Sequence, residues 1–253
     1  MGGWELVRSC TPNERGRDQQ ASRTRPEAAS SHAGHARSST SREAFTLTEL
    51  VLSMTDPSNG YERVAAEFLA GRGRAPSTAI GARAVRDWAR TLPSGATVID
   101  VGCGSGLPIT KVLVSEGLNV YAIDAAPSLV EAFRHNLPET LVACESVEDS
   151  SFFNRMFDGV LAWGLIFLLL PEAQRSLIRS MADILVPGGR LLFTSPAAPV
   201  VWNDAMTGLE SRSLGAAEYR RLLSAGDISV SSEYEDEGQN HYFDAFKRTS
   251  RHQ

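Results

Sequence analysis

The chain has 253 residues, a hydrophobic fraction of 42% and a formal net charge of -5 at pH 7, enough apolar material for one large domain or one domain with extras. The acidic balance gives no electrostatic ground for binding nucleic acid or an anionic membrane, and no apolar run approaches the roughly twenty residues of a membrane span. Three scattered cysteines, Cys10, Cys103 and Cys144, build neither a disulfide scaffold nor a zinc site, so no metal is expected and a reduced, cytoplasmic setting is the default.

Residues 1–53 differ from the rest. They are rich in Arg, Ser, Ala and acids and hold only Trp4 and Phe45 as aromatics. Such a stretch cannot repay its ordering entropy by burial, so it reads as a disordered extension. It lacks the long apolar segment of a secretory signal, and its acids argue against an organelle transit peptide. Met54 opens the patterned region and is a candidate start of the native chain, which would make 1–53 a non-native addition. The domain is expected to run over 54–253 and remains net acidic without the extension.

In chain order, Tyr61, Val64, Ala65, Phe68 and Leu69 have helical spacing and predict a helix over Asn59 to Leu69, closed by Gly71-Arg72-Gly73. Pro76-Ser77-Thr78 opens a second helix to about Leu92. A strand is expected at Thr97 to Val101, then a helix from Leu107 to Ser115 directly after a glycine turn. Asn119 to Ile123 reads as a strand, and Pro127 to His135 as a helix with proline near its first turn. Further strands are expected at Leu141 to Cys144 and Phe157 to Trp163, a helix at Pro171 to Leu185, a turn at Pro187-Gly188-Gly189 and a fifth strand at Arg190 to Thr194. This alternation, a sheet core over 96–195, predicts an α/β fold: a mostly parallel, doubly wound sheet with helices on both faces. A loop is expected over 196–214. The C-terminal part, 215–248, breaks the rhythm with a helix at Ala216 to Ala225 and a hairpin of Ile228 to Glu235 with His241 to Lys247.

The chemistry concentrates at Val98-Ile99-Asp100-Val101-Gly102-Cys103-Gly104-Ser105-Gly106. Glycines at every second position after a β-rich run read as a tight turn against which a ligand can lie. Gly102 permits the turn, Gly104 lets backbone approach the ligand, and Gly106 lets the helix pack near the strand. Cys103 reads as a small side chain filling the turn, with a reactive thiol as the alternative. Asp124 ends the next strand, with Ala125 beside it; its carboxylate can accept from both hydroxyls of a ribose, or cap the helix that follows. Glu145 and Ser146 end the third strand, where a polar group can meet an adenine amino group; Glu148 and Asp149 offer a competing register. Trp163 sits at the crossover point of the sheet, as pocket residue or as core. A glycine-floored cleft beside a hydroxyl-reading acid is a nucleoside-cofactor site.

These residues resemble the class I S-adenosylmethionine-dependent methyltransferases. The glycine run matches that family's first motif and Asp124 its ribose-binding acid. Phe157-Asp158-Gly159-Val160 looks like its Phe-Asp-x-Val strand, and Leu185-Val186-Pro187-Gly188-Gly189 like its Leu-x-Pro-Gly-Gly turn. Glu145 stands where the family more often has Asp. The resemblance implies a seven-stranded, Rossmann-like sheet of order 3-2-1-4-5-7-6 with the last strand antiparallel, and S-adenosyl-L-methionine as cofactor, leaving S-adenosyl-L-homocysteine. It implies that Asp100 supports the turn and that backbone near Gly102 and Trp163 holds the methionine end.

On the acceptor side the candidates are Tyr61, which either closes over the cofactor or packs its helix; Trp202 and Asn203 in the loop after the fifth strand; Tyr242; and His241, either a general base or a surface histidine. The Leu165 to Leu170 run reads as pocket wall plus helix packing. The expected acceptor is a small molecule. The rivals are a nicotinamide dehydrogenase, whose G-x-G-x-x-G spacing is not the G-x-G-x-G seen here, and a non-catalytic scaffold with the same fold.

Overall fold

Val98 and Ile99 are neighbours, both fully buried, and they enter different cores. Val98 packs with Ala82, Val85, Trp88, Val112 and Leu113, whereas Ile99 packs with Val160, Ile178, Met181 and Phe193. Successive strand residues point to opposite faces, and a strand covered on both faces is apolar at consecutive positions.

The computed structural model describes residues 56–71 and 79–249. The expectations for residues 1–53, for Met54 as a start and for a helix opening at Pro76-Ser77-Thr78 lie outside the described residues.

The strands are β1 (Thr97–Val101), β2 (Asn119–Asp124), β3 (Leu141–Cys144), β4 (Phe157–Ala162), β5 (Leu185–Thr194), β6 (Val200–Asn203), β7 (Glu210–Ser213), β8 (Ile228–Glu235) and β9 (His241–Lys247). The helices are α1 (Ala65–Ala70), α2 (Ala82–Ala89), α3 (Ile109–Ser115), α4 (Pro127–Asn136), α5 (Pro171–Asp183) and α6 (Ala216–Ala225). Seven strands form one sheet in the order β3-β2-β1-β4-β5-β9-β8. The first five run parallel, and β9 is antiparallel to both β5 and β8. Counting the strands of this sheet alone, that is the expected order 3-2-1-4-5-7-6. Helices α2 and α3 cover one face, and α5 and α6 the other.

Four expectations are corrected. The first helix spans only Ala65–Ala70, because the Asp56 carboxylate binds the amides of Ser58 and Gly60 and locks a turn in which Asn59 and Gly60 have φ of 52° and 84°. The helix after the glycine turn starts at Ile109, since the left-handed backbone at Gly104 and Gly106 delays it. Strand β5 begins at Leu185, not after Pro187-Gly188-Gly189: its pairing jumps from Phe157↔Leu185 to Gly159↔Arg190, so the intervening residues bulge out of the ladder. The 196–214 loop contains the hairpin β6–β7, a separate two-stranded sheet. Among the described residues no helix is long and apolar enough to cross a membrane.

Candidate functional site

The C-terminal ends of β1, β2, β3 and β4 open on a cleft of about 940 Å³, its open mouth included. This is where a doubly wound sheet binds ligands. Its floor is the glycine turn. The amides of Gly102 and Cys103 both donate to the Ile123 carbonyl, at 2.9 and 3.0 Å, which lays the turn along β2. Gly102, Gly104 and Gly106 all have positive φ. Their surroundings differ. A Cβ at Gly106 would stand 2.8 Å from Phe133 and Leu137, so this glycine makes room for α4 and does not line the cleft. A Cβ at Gly104 would find only the Phe68 ring, at 3.5 Å.

Asp124 reaches back into that turn. Its Oδ2 accepts from the Gly104 amide at 2.8 Å and its Oδ1 from the Ala126 amide at 2.9 Å. Burial pushes its pKa up, and the backbone amides of Ala126, Gly104 and Ala125 pull against that rise. Asp124 and Ala125 both face the cleft. Beneath them Asp100 is 1% exposed, with its Oδ2 held by the Thr110 hydroxyl at 2.6 Å. Desolvation raises its pKa to about 7; the Thr110 hydrogen bond opposes this, and the nearby Asp124 charge adds to it. Cys103 is buried with Ala122, Phe133 and Leu137, and burial pushes its thiol well up, which is the behaviour of a packing residue and not of a reactive thiolate.

Glu145 lines the cleft and accepts from the Ser150 hydroxyl at 2.6 Å. Ser146 does not line it. Its hydroxyl is 3.0 Å from the Asp149 carboxylate and accepts from the Asp149 amide, a local turn that takes the side chain out of the site. Val147 and Glu148 occupy the wall instead.

Across the cleft, Trp163 and Gly164 follow β4, and Leu165, Leu168 and Leu169 continue the wall. The roof is residues 56–71. Tyr61 and Phe68 meet edge to face at 5.9 Å, and both face the cleft with Ser58 and Asn59. This segment is tied on two sides. Glu62 accepts from the Ser128 amide and hydroxyl at 2.9 and 2.6 Å, satisfying a free donor in the first turn of α4. Arg63 donates to the Thr207 carbonyl at 3.0 Å in the β6–β7 turn. In the sequence, the apolar spacing shared by Tyr61 and Phe68 is the one mark of this wall, and nothing there points to Ser58 or Asn59.

The remaining acceptor-side expectations are corrected. Trp202 packs on Phe167 with ring centroids 5.4 Å apart, Asn203 is exposed, and neither lines the cleft, because residues 200–203 are a strand paired to β7. His241 lies on β9 with Nε2 3.1 Å from Glu233, and Tyr242 is fully buried; both are absent from the cleft wall. Among the described residues the cleft presents the carboxylates of Asp100, Asp124, Glu145 and Glu148, and no lysine, arginine or histidine.

Residues 98–189, which carry the glycine turn, Asp124 and Trp163, match the sequence model of a methyltransferase domain. The likeness to methyltransferases is carried by this segment of the chain. It is similar to a ubiquinone biosynthesis O-methyltransferase of Xanthomonas axonopodis pv. citri, 37% identical over 152 residues, or 56% of this chain and 62% of the relative. It is also similar to an aklanonic acid methyltransferase, DauC, of Streptomyces sp., 36% identical over 149 residues, or 55% of this chain and 61% of the relative. The chain thus spans less than two thirds of the length of these relatives. Among solved structures, the methyltransferase fold recurs in the N-methyltransferase NodS of Bradyrhizobium japonicum, with a TM-score of 0.58 and 16% identity over 76% of this chain and 100% of that one.

Proposed function

We propose that this methyltransferase domain binds S-adenosyl-L-methionine in the cleft and transfers its methyl group to a small-molecule acceptor, leaving S-adenosyl-L-homocysteine. One observation carries the reading: the glycine turn and the Asp124 carboxylate are joined at 2.8 Å on the floor of one open cleft. The residues fit the cofactor. Backbone lies open at Gly104, a carboxylate stands one strand over for the ribose, and an acidic lining without cations suits a positively charged sulfonium and ammonium.

In this reading Gly102, Cys103 and Gly104 supply main chain, with Asp100 beneath them. Asp124 and Ala125 take the ribose, and Glu145, Val147 and Glu148 border the adenine. Trp163 and Gly164 border the methionine end. A bound sulfonium supplies an activated methyl with a good leaving group. The protein's own work is to align the acceptor behind the S–CH3 bond and exclude water. The wall of Leu165, Leu168 and Leu169 and the roof of Tyr61 and Phe68 suit that work and an acceptor with apolar surface. No histidine lines the cleft among the described residues, so His241 has no place as the base; of the acceptor-side candidates Tyr61 is the ionisable one that lines the cleft. The reading includes a cytoplasmic setting and no nucleic-acid partner.

Calorimetric titration with S-adenosylhomocysteine and with NADH tests it. The expected result is binding of the thioether and none of the dinucleotide. Binding of NADH alone overturns the reading in favour of a dehydrogenase. Thioether binding without methyl incorporation from isotopically labelled cofactor into any metabolite extract favours a non-catalytic module.

A further inference from the structure

We propose that Tyr242, acting with Asp236 in the β8–β9 turn, is a positioning residue that fixes the indole of Trp163 at the methionine end of the cleft. The inference rests on the cofactor reading above and extends it to two residues outside the cleft.

The geometry is a directed chain. The Trp163 Nε1–H donates to the Tyr242 hydroxyl at 2.8 Å, and that hydroxyl donates its one proton to Asp236 Oδ2 at 2.8 Å. Because the carboxylate takes the proton, the oxygen of Tyr242 is left to accept from the indole. Asp236 is held in turn by the amides of Gly238 and Asn240, each at 2.9 Å. Tyr242 is fully buried and stacks on Tyr234, with centroids 5.0 Å apart and planes 7° off parallel. Gly81 lies against the nitrogen-bearing part of the indole: its φ is 85°, and a Cβ there would stand 2.7 Å from Cε2 and Cζ2 and 2.8 Å from Nε1. The next residue, Gly164, donates its amide to the Thr194 hydroxyl at 2.8 Å, and Thr194 pairs with Tyr242 across β5 and β9.

A second tryptophan shows that the fold does not need such a chain merely to bury an indole. Trp88 is 2% exposed in the core, and its Nε1 has no hydrogen-bond partner. Trp163 is only half-buried, lines the cleft, and has its polar edge tied through a tyrosine to a carboxylate on a turn beyond the sheet. The arrangement fixes the indole's rotation through its nitrogen edge while the side chain still lines the cleft.

The test uses the full chain labelled with 5-fluorotryptophan, the Trp163 resonance being assigned with Trp163→Phe. In Tyr242→Phe the Trp163 fluorine signal is expected to shift or broaden while those of Trp88 and Trp202 stay in place. The Kd for S-adenosylhomocysteine is expected to rise about three- to tenfold, the worth of one hydrogen bond. Asp236→Asn should act in the same direction, and the double variant should bind no worse than Tyr242→Phe, since both act through one chain. Wild-type affinity in Tyr242→Phe, or a lowered melting temperature with unchanged Kd and an unmoved Trp163 signal, overturns the positioning role alone. If Tyr242→Phe fails to fold, Asp236→Asn gives the same two readouts. Absence of thioether binding in the wild-type chain overturns the cofactor reading and this inference together.

Discussion

Asp124 Oδ2 sits 2.8 Å from the amide of Gly104, so one carboxylate is both a wall of the cleft and the strut of its floor. Its other oxygen holds the Ala126 amide before α4. Asp124→Ala therefore strips partners from two backbone donors as well as from any ribose. We expect a stability loss of about 2–3 kcal/mol by urea denaturation, because hydrogen bonds to charged groups are the strong ones. An unchanged midpoint would show that the turn stands without the strut.

The buried Asp100 sets a pH dependence. Its folded pKa is about 7, above the 3.8 of an exposed aspartate. Between those values the native state holds a proton that the unfolded chain has released, so stability falls as pH rises from about 4 to about 7 and levels off above. The slope from one group cannot exceed about 1.4 kcal/mol per pH unit. Asp100→Asn should remove this part of the slope in melts taken across that window. A slope that persists in the variant assigns it to other groups.

The same site predicts proton release. A cation arriving beside Asp100 favours its ionised form. Titration of S-adenosylmethionine at pH 6, in buffers of different ionisation enthalpy, should show protons leaving the protein on binding, and Asp100→Asn should abolish the effect. Identical heats in all buffers would separate Asp100 from the ligand.

The three glycines of the turn should separate in their responses. Gly106→Ala places a Cβ 2.8 Å from Phe133 and Leu137 at a φ of 78°. Strain and overpacking together should cost roughly 2–4 kcal/mol. Gly104→Ala meets only Phe68, at 3.5 Å, and should cost less stability while weakening S-adenosylhomocysteine binding. Equal stability losses in the two variants would contradict this division.

The roof is testable through Glu62. Glu62→Ala removes both hydrogen bonds to Ser128. Faster amide exchange should follow across 56–71 and in the first turn of α4, with little change in α5 or α6. Uniform acceleration over the whole chain would mean global destabilisation instead.

What the sequence made readable was what short spacing controls. The strand ending at Val101, the glycine turn, the strand ending at Asp124 and the hairpin of β8 with β9 all rest on local periodicity and turn residues. Strand alternation does not say which face of β9 meets the cleft, and His241 and Tyr242 both lie off its wall. A strand end suits a ligand contact at Ser146, but a serine hydroxyl also satisfies a nearby amide, and here it does. The roof was the least readable part. Its position depends on Glu62 meeting Ser128 and Arg63 meeting Thr207, pairings that join distant parts of the chain and leave no mark in either segment alone.

Strand β9 comes last among the described strands, yet it lies inside the sheet, between β5 and β8. Spatial order and order of synthesis are therefore inverted at this edge. Until His241–Lys247 is in place, β5 has a strand on one side only, β8 has no strand to pair with, and Phe193, which finally stacks on Phe243 at 4.6 Å, lacks that ring. The edge of β5 therefore stays unpaired until the last described strand docks, and an unpaired strand edge is a site of aggregation.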